Sequence, residues 1–275
     1  MNQAWKLVSG NFAMEDIHAF RIEIKKLRSF LCLASTAPHA CSLKVSVRMD
    51  RLYTTIGNIR SLQLQKQRMD RISPQYAPIQ KSYLTFISTE IERQTVKAGN
   101  LAKSGKFLKK SRRMILNQLP SRLKQKSIRM FTNEKLQALS ALMKPSSLSD
   151  ESLHAIRKLL KEISYSWKLT NKRTSILSVI VMSKKELDYI TDILGDFHDR
   201  CIELDLLHAH YKQQQMDENE RRIWREWEND GWFKKERARE GIHALFQKGI
   251  SRQLQDLRFL PGITRLLEPK AIVIS

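Results

Sequence analysis

Glycine and proline are scarce, at 9 and 7 of 275 residues, so the turn signals that many short strands require are missing. Cysteine is scarcer: Cys32, Cys41 and Cys201 form an odd, scattered set with no Cys-x-x-Cys pair. That excludes a disulfide scaffold or a cysteine zinc site and fits a reducing cytosol. No apolar run approaches the roughly 20 residues that span a bilayer. The start, Met1-Asn-Gln-Ala-Trp5, has no sustained apolar stretch, so a soluble, cytoplasmic protein is expected. There is no Gly-x-x-x-x-Gly-Lys loop, Gly-x-Ser-x-Gly elbow or His-Glu-x-x-His helix, and a protein that is not an enzyme, with no cofactor and no metal, is expected.

Acidic residues are the most informative shortage. Asp and Glu total 28 against 49 Lys and Arg, a formal charge of +21 and a pI near 10.1. Most of the excess lies in residues 1–144, which hold 27 basic and 8 acidic side chains. Residues 93–133 carry twelve Lys or Arg and no acid. Such a field calls for a polyanionic partner: nucleic acid, an anionic membrane or polyphosphate.

What is present is helical periodicity, 41% hydrophobic residues and a repeat. His18-Ala-Phe-Arg21-Ile-Glu-Ile-Lys25-Lys26-Leu-Arg28 returns about 136 residues later as His154-Ala-Ile-Arg157-Lys158-Leu-Leu-Lys161. At about 100° per residue, His18, Arg21, Lys25 and Arg28 fall in a stripe about 80° wide. Ile17, Phe20, Ile24, Leu27 and Leu31 lie beside it, and Leu153, Ile156, Leu160, Ile163 and Trp167 do the same in the copy. Cations at the shoulder of an apolar face line a groove between packed helices; a solvated face would lie opposite. A second pair of segments, Ile56-Gly57-Asn58-Ile59-Arg60-Ser61 and Leu194-Gly195-Asp196-Phe197-His198-Asp199, repeats at about 138 residues.

These two motifs, each present twice, resemble the CHAD family, the conserved-histidine α-helical domain. Its marks are a His-x-x-Arg-x-x-x-Lys helix and a later Leu-Gly-x-x-x-Asp segment. The likeness spans roughly residues 10 to 262 and departs at Ser61, where an acid is usual, and at Ser164, where an Arg is usual. The resemblance implies an all-α helical bundle of two pseudo-symmetric repeats, about 10–144 and 149–262 of a single domain 1–275, around a basic groove. It further implies binding of inorganic polyphosphate and association with polyphosphate granules. The direct contacts expected are Arg21, Lys25, Arg28, Arg157, Lys158 and Lys161, with His18 and His154 at the ends. No strand of the CYTH triphosphatases, frequent companions of the family, is present, so a stand-alone module is expected. Nucleic acid is expected to bind more weakly, because the basic 93–133 stretch has little aromatic interleaving.

The remaining features each have two readings. Lys103, Lys106, Lys110 and Arg113 copy the spacing of the first stripe, yet apolar residues lie opposite them, so they form either a further basic stripe or a solvated face. Asp188, Asp192, Asp196, Asp199 and Glu203 share one helical face; pairing with Lys or Arg of neighbouring helices is favoured over a divalent-metal site. His198-Asp199 spells the dipeptide of HD phosphohydrolases, an isolated two-residue match. His208 and His210 point apart on a helix. Trp224, Trp227, Trp232 and Phe233 read as a core edge.

The expected helices run from about 42 to 68 with a kink near Gly57, and from a turn at Pro74 and Pro78 to near Gly99. A further one starts at Pro120. Ser149 or Asp150 caps the second basic helix, and a long helix from Ser183 continues to about 215. The last is expected over 233–257 after a mixed-charge stretch 217–232, with Pro145–Asp150 as the hinge between halves.

Overall fold

The computed structural model describes residues 8, 10–37, 42–69, 74–103, 106–143, 148–166, 184–213 and 215–246, apart from the side chains of 106–108. Among these residues lie eight α-helices and a 3-10 turn at Pro74–Tyr76, and no strand. The helices are α1 Met14–Ala34, α2 Val47–Met69, α3 Ala77–Ala102, α4 Lys106–Gln118, α5 Gln125–Leu142, α6 Asp150–Ser166, α7 Lys184–Tyr211 and α8 Glu218–Leu245. The chain is an all-α bundle. None of these helices is long and apolar enough to cross a membrane.

Two helix starts carry a side-chain cap and a third a proline. The Ser149 hydroxyl accepts the Ser152 backbone N–H at 3.2 Å, opening α6. Asp217 and Glu220 form a reciprocal capping box on α8, with Asp217 accepting from the Glu220 N–H at 2.8 Å. Pro78 sits in the first turn of α3, where a missing N–H costs nothing.

Three expectations are corrected. Helix α2 runs through Gly57 without interruption; the glycine leaves room for a neighbouring side chain, as described below. Helix α5 begins at Gln125, not Pro120, because the chain leaves α4 at Gln118 and crosses the intervening residues without helical structure. The mixed-charge stretch 217–232 is the first half of α8, since the capping box starts a helix that the charge pattern does not announce. The expected hinge is described only at Leu148–Asp150, and Ser183, Trp167 and residues 247–257 lie outside the described residues.

Packing follows the apolar faces. On α1, Ile17, Phe20, Ile24 and Leu31 are buried; on α6, Leu153, Ile156, Leu160 and Ile163 are buried. Helix α1 lies between α2 and α6, α6 lies between α1 and α7, and α2–α3 and α7–α8 pair in the same manner. Contacts between α3 and α8 join the far sides. The core there draws on both halves of the chain: Tyr76 stacks on Trp227 with ring centres 5.5 Å apart, and Tyr83 meets the same indole edge-on at 5.2 Å. Trp224 and Trp227 are therefore core residues, whereas Trp232 and Phe233 are exposed.

The seam of α1 and α6 brings the two basic helices together. The Ser29 hydroxyl lies 2.6 Å from the Ser166 hydroxyl and donates to the Glu162 carbonyl at 2.8 Å. Two small buried side chains let the backbones approach closely there. Further along the seam, Lys25 feels the charges of Arg157 and Lys161, and Arg21 that of Arg157. Contacts advance together along both helices, so α1 and α6 run parallel and in register.

Candidate functional site

The α1–α6 seam collects positive charge from three helices, α1, α2 and α6. Lys25, half-buried on α1, is surrounded by Arg21, Arg157, Lys161 and Arg60. Burial first, and then these four cations, depress its ammonium from the usual 10.5 to about 8. No hydrogen bond or ion pair holds Lys25 among the described residues. Arg157 is in a similar position: its Nε is buried and has no hydrogen-bond partner among the described residues. A desolvated cation without a partner is costly, and several side by side multiply the cost. An arriving anion removes it.

Glycines position the two arginines. A methyl group on Gly57 of α2 would lie 2.8 Å from Arg21 Cζ; one on Gly195 of α7 would lie 3.3 Å from Arg157 Nη2. Each guanidinium thus crosses the neighbouring helix where that helix has no side chain. Arg21 is fixed further by donating from Nη1 to the Tyr53 carbonyl at 2.8 Å, and its guanidinium lies 4.3 Å from the centre of the Tyr53 ring. Arg28 lies 4.0 Å from the same ring but also pairs with Asp50 at 2.5 Å. It is the least available of the expected contacts. Lys161 has only a loose partner, exposed Asp192, at 3.5 Å. Lys158 is exposed.

The two histidines at the heads of the stripes differ. His18 is exposed and held below its usual 6.5 by partial desolvation and then by Arg60. His154 packs on His198 of α7, ring centres 4.3 Å apart, and its buried Nδ1 lacks a partner among the described residues. Burial, followed by His154 and Arg157, pushes His198 down to about 4. Both rings of this pair are neutral at pH 7 and offer N–H donors without adding charge.

Sequence reasoning left out Tyr53, Arg60 and His198 as contributors. Arg60, whose Nη1 donates to the Met14 carbonyl at 2.7 Å, sits among the α1 cations. Arg60 and His198 stand 138 positions apart within the second pair of repeated segments. That spacing was the available signal, because it places both three residues after the glycines that receive Arg21 and Arg157.

The acidic face of α7 is largely occupied by cations. Asp199 accepts from Arg68 of α2 at 3.0 Å, Glu203 forms an ion pair with the same arginine at 3.7 Å, Asp192 meets Lys161, and Asp188 pairs with Lys184 of its own helix. Among the described residues no group of three His, Cys, Asp or Glu side chains is arranged to hold a metal ion. His208 pairs with Glu228 at 3.1 Å, whereas His210 is buried against Tyr83 and Phe86. Lys103, Lys110 and Arg113 are exposed, a solvated face.

Comparison with known families gives one match: the family model for the CHAD domain aligns with residues 1–208, from before α1 to near the end of α7. No curated protein and no solved structure matches the chain.

Proposed function

The chain belongs to the CHAD family, and from that premise we propose that it binds inorganic polyphosphate, without cleaving it, in a basic groove along the α1–α6 seam. The observation that carries this reading is the convergence of Arg21, Lys25, Arg60, Arg157 and Lys161 around an ammonium that no acid neutralises among the described residues. Polyphosphate supplies regularly spaced negative oxygens and no bases to be read. Arginine offers it a two-pronged donor and lysine a point charge. Neutral His154 and His198 add donors at one end, and His18 gains charge as the polyanion approaches. The ligand replaces the missing counter-charges, so binding and folding stability are coupled. Each well-made contact is worth roughly 1.5–3 kcal/mol, and a handful suffices for tight binding. The same reading places the protein in the cytoplasm at polyphosphate granules.

Non-catalytic binding is supported by the engagement of the α7 carboxylates. Asp199, which the HD dipeptide would make a metal ligand, accepts from Arg68. Polyphosphate chain length should stay unchanged over hours with or without Mg²⁺.

A second reading has an observation of its own. Arg112 and Arg113 of α4, Arg122 and Lys124 of the connection, and Lys126 and Arg129 of α5 are all exposed, a run of cations suited to sequence-independent nucleic-acid contact. The deciding experiment is a titration with polyphosphate of defined lengths at about 150 mM salt, with duplex DNA as competitor. Affinity is expected to climb from pyrophosphate to long chains and then level off as the seam fills. Replacing Arg21, Lys25, Arg157 and Lys161 with Gln should abolish most binding in a protein that stays folded. Retained affinity in that variant, or displacement by DNA at equal phosphate concentration, would refute the seam and favour the α4–α5 surface.

A further inference from the structure

A second, chemically different cavity opens beside the cation seam. It has a volume of about 750 Å³ and lies between α1, α4, α6 and the start of α7. Its floor is apolar: Leu27 and Phe30 of α1, Ile115 and Leu116 of α4 with Leu119 just beyond its end, and Tyr165 of α6. A solvated surface cleft between charged helices would have a polar floor. Volumes of this size hold small ligands.

The rim carries the charge. Four cations line it, Lys26, Arg112, Lys161 and Lys184, against two acids, Glu23 and Asp188. Both acids are already engaged: Lys26 holds Glu23 at 2.7 Å, and Lys184 holds Asp188. That leaves Arg112, exposed and without an ion-pair partner among the described residues, and Lys161 with only its loose contact to Asp192. An apolar floor with two under-neutralised cations at its mouth complements a molecule with an apolar body and one anionic end.

We infer that the cavity between α1, α4 and α6 binds a soluble single-chain amphiphilic anion, an aliphatic carboxylate or phosphate monoester, with its chain on Leu27, Phe30 and Ile115 and its head on Arg112 and Lys161. Inorganic phosphate and polyphosphate lack the apolar body and gain nothing from the floor. A neutral alkyl chain lacks the head. Both parts are needed, and the dependence on each is measurable separately.

The test is calorimetric titration of the full chain, free of polyphosphate so that its outcome is independent of the seam, with octyl, decyl and dodecyl phosphate below their micellar concentrations. Burial of each added methylene strengthens binding about fourfold, so affinity should rise stepwise along the series. Decyl glucoside and inorganic phosphate should bind at least tenfold more weakly than decyl phosphate. Arg112→Gln removes one head contact on an exposed side chain and should cost about tenfold. Leu116→Glu places a carboxylate on the floor at a position 53% exposed, which the fold tolerates, and should abolish binding while the melting temperature holds. Affinity independent of alkyl length would overturn the assignment, as would binding of inorganic phosphate as strong as that of decyl phosphate. So would wild-type affinity in Leu116→Glu, or binding confined to anionic phospholipid vesicles.

Discussion

Lys25 should take up a proton when polyphosphate binds. Burial and its four cationic neighbours hold it at about 8 in the free protein, against about 10.4 in an unfolded chain. A polyanion laid across the seam supplies opposite charge and draws the value back up. At pH 8.5 free Lys25 carries about a quarter of a proton and bound Lys25 nearly a whole one, so about 0.7 proton is absorbed per complex. The Lys25 contribution to affinity should be flat below pH 8 and weaken above it, at most tenfold per pH unit, or about 1.4 kcal/mol. The stability of the free protein runs the other way. Between pH 8 and about 10.4 the unfolded chain binds more protons than the folded one, so stability rises with pH, by about 3 kcal/mol at most. Titration calorimetry at pH 8.5 in Tris and in EPPS, whose ionisation heats differ, reads the proton count directly. No uptake in the native protein, or the same uptake in Lys25→Gln, would show that Lys25 is not the strained cation of the seam.

Four further outcomes follow. Gly57→Ala would normally add about 1 kcal/mol to a helix, but here the methyl displaces Arg21 from the Tyr53 carbonyl, a contact worth about 1.5–3 kcal/mol; melting temperature and polyphosphate affinity should both fall. Gly195→Ala, with 3.3 Å to Arg157, should leave affinity near native and raise the melting temperature slightly in the same assays. His198 sits at about 4 in the fold against 6.5 outside it, so the unfolded chain binds more protons as pH falls from 6.5 to 4; thermal melts should show stability dropping through that window, with a shallower slope in His198→Gln. Asp150 neutralises Lys235, which is buried, and Arg239. Asp150→Asn leaves that lysine unpaired and should cost about 3 kcal/mol in chemical denaturation.

The buried faces of α1 and α6 were legible in the sequence because both are long, strongly periodic helices whose apolar residues recur every three or four positions. Ile17, Phe20, Ile24, Ile156, Leu160 and Ile163 all lie where a helical wheel puts them. The convergence of Arg21, Lys25, Arg157 and Lys161 was legible for the same reason, since cations at the shoulder of a buried face end up beside the next helix. What a single-helix pattern does not contain is the partner. Tyr53, Arg60 and His198 enter from α2 and α7, and the pairing of Arg28 with Asp50 depends on how those helices cross. Gly57 shows the limit most clearly: read locally a glycine weakens a helix, and here it makes room for a guanidinium from another one. The start of α8 was misplaced because its first half is charged around most of its circumference and buries only a short apolar stripe, Ile223, Trp224 and Trp227.

The parallel, in-register placement of α1 and α6 has a consequence for any polymer that lies along the seam. Equivalent cations stand abreast, repeating about every 5.4 Å with the helical turn, and nothing among them marks one phosphate of a uniform chain as different from the next. A bound polymer therefore has many equivalent alignments and no preferred direction, and it can move by one unit at low cost. Longer chains gain from the number of alignments open to them even after every cation is engaged, a statistical gain with no new contact. A chain that loses one contact can shift by a unit and regain it, so residence time should grow with polymer length.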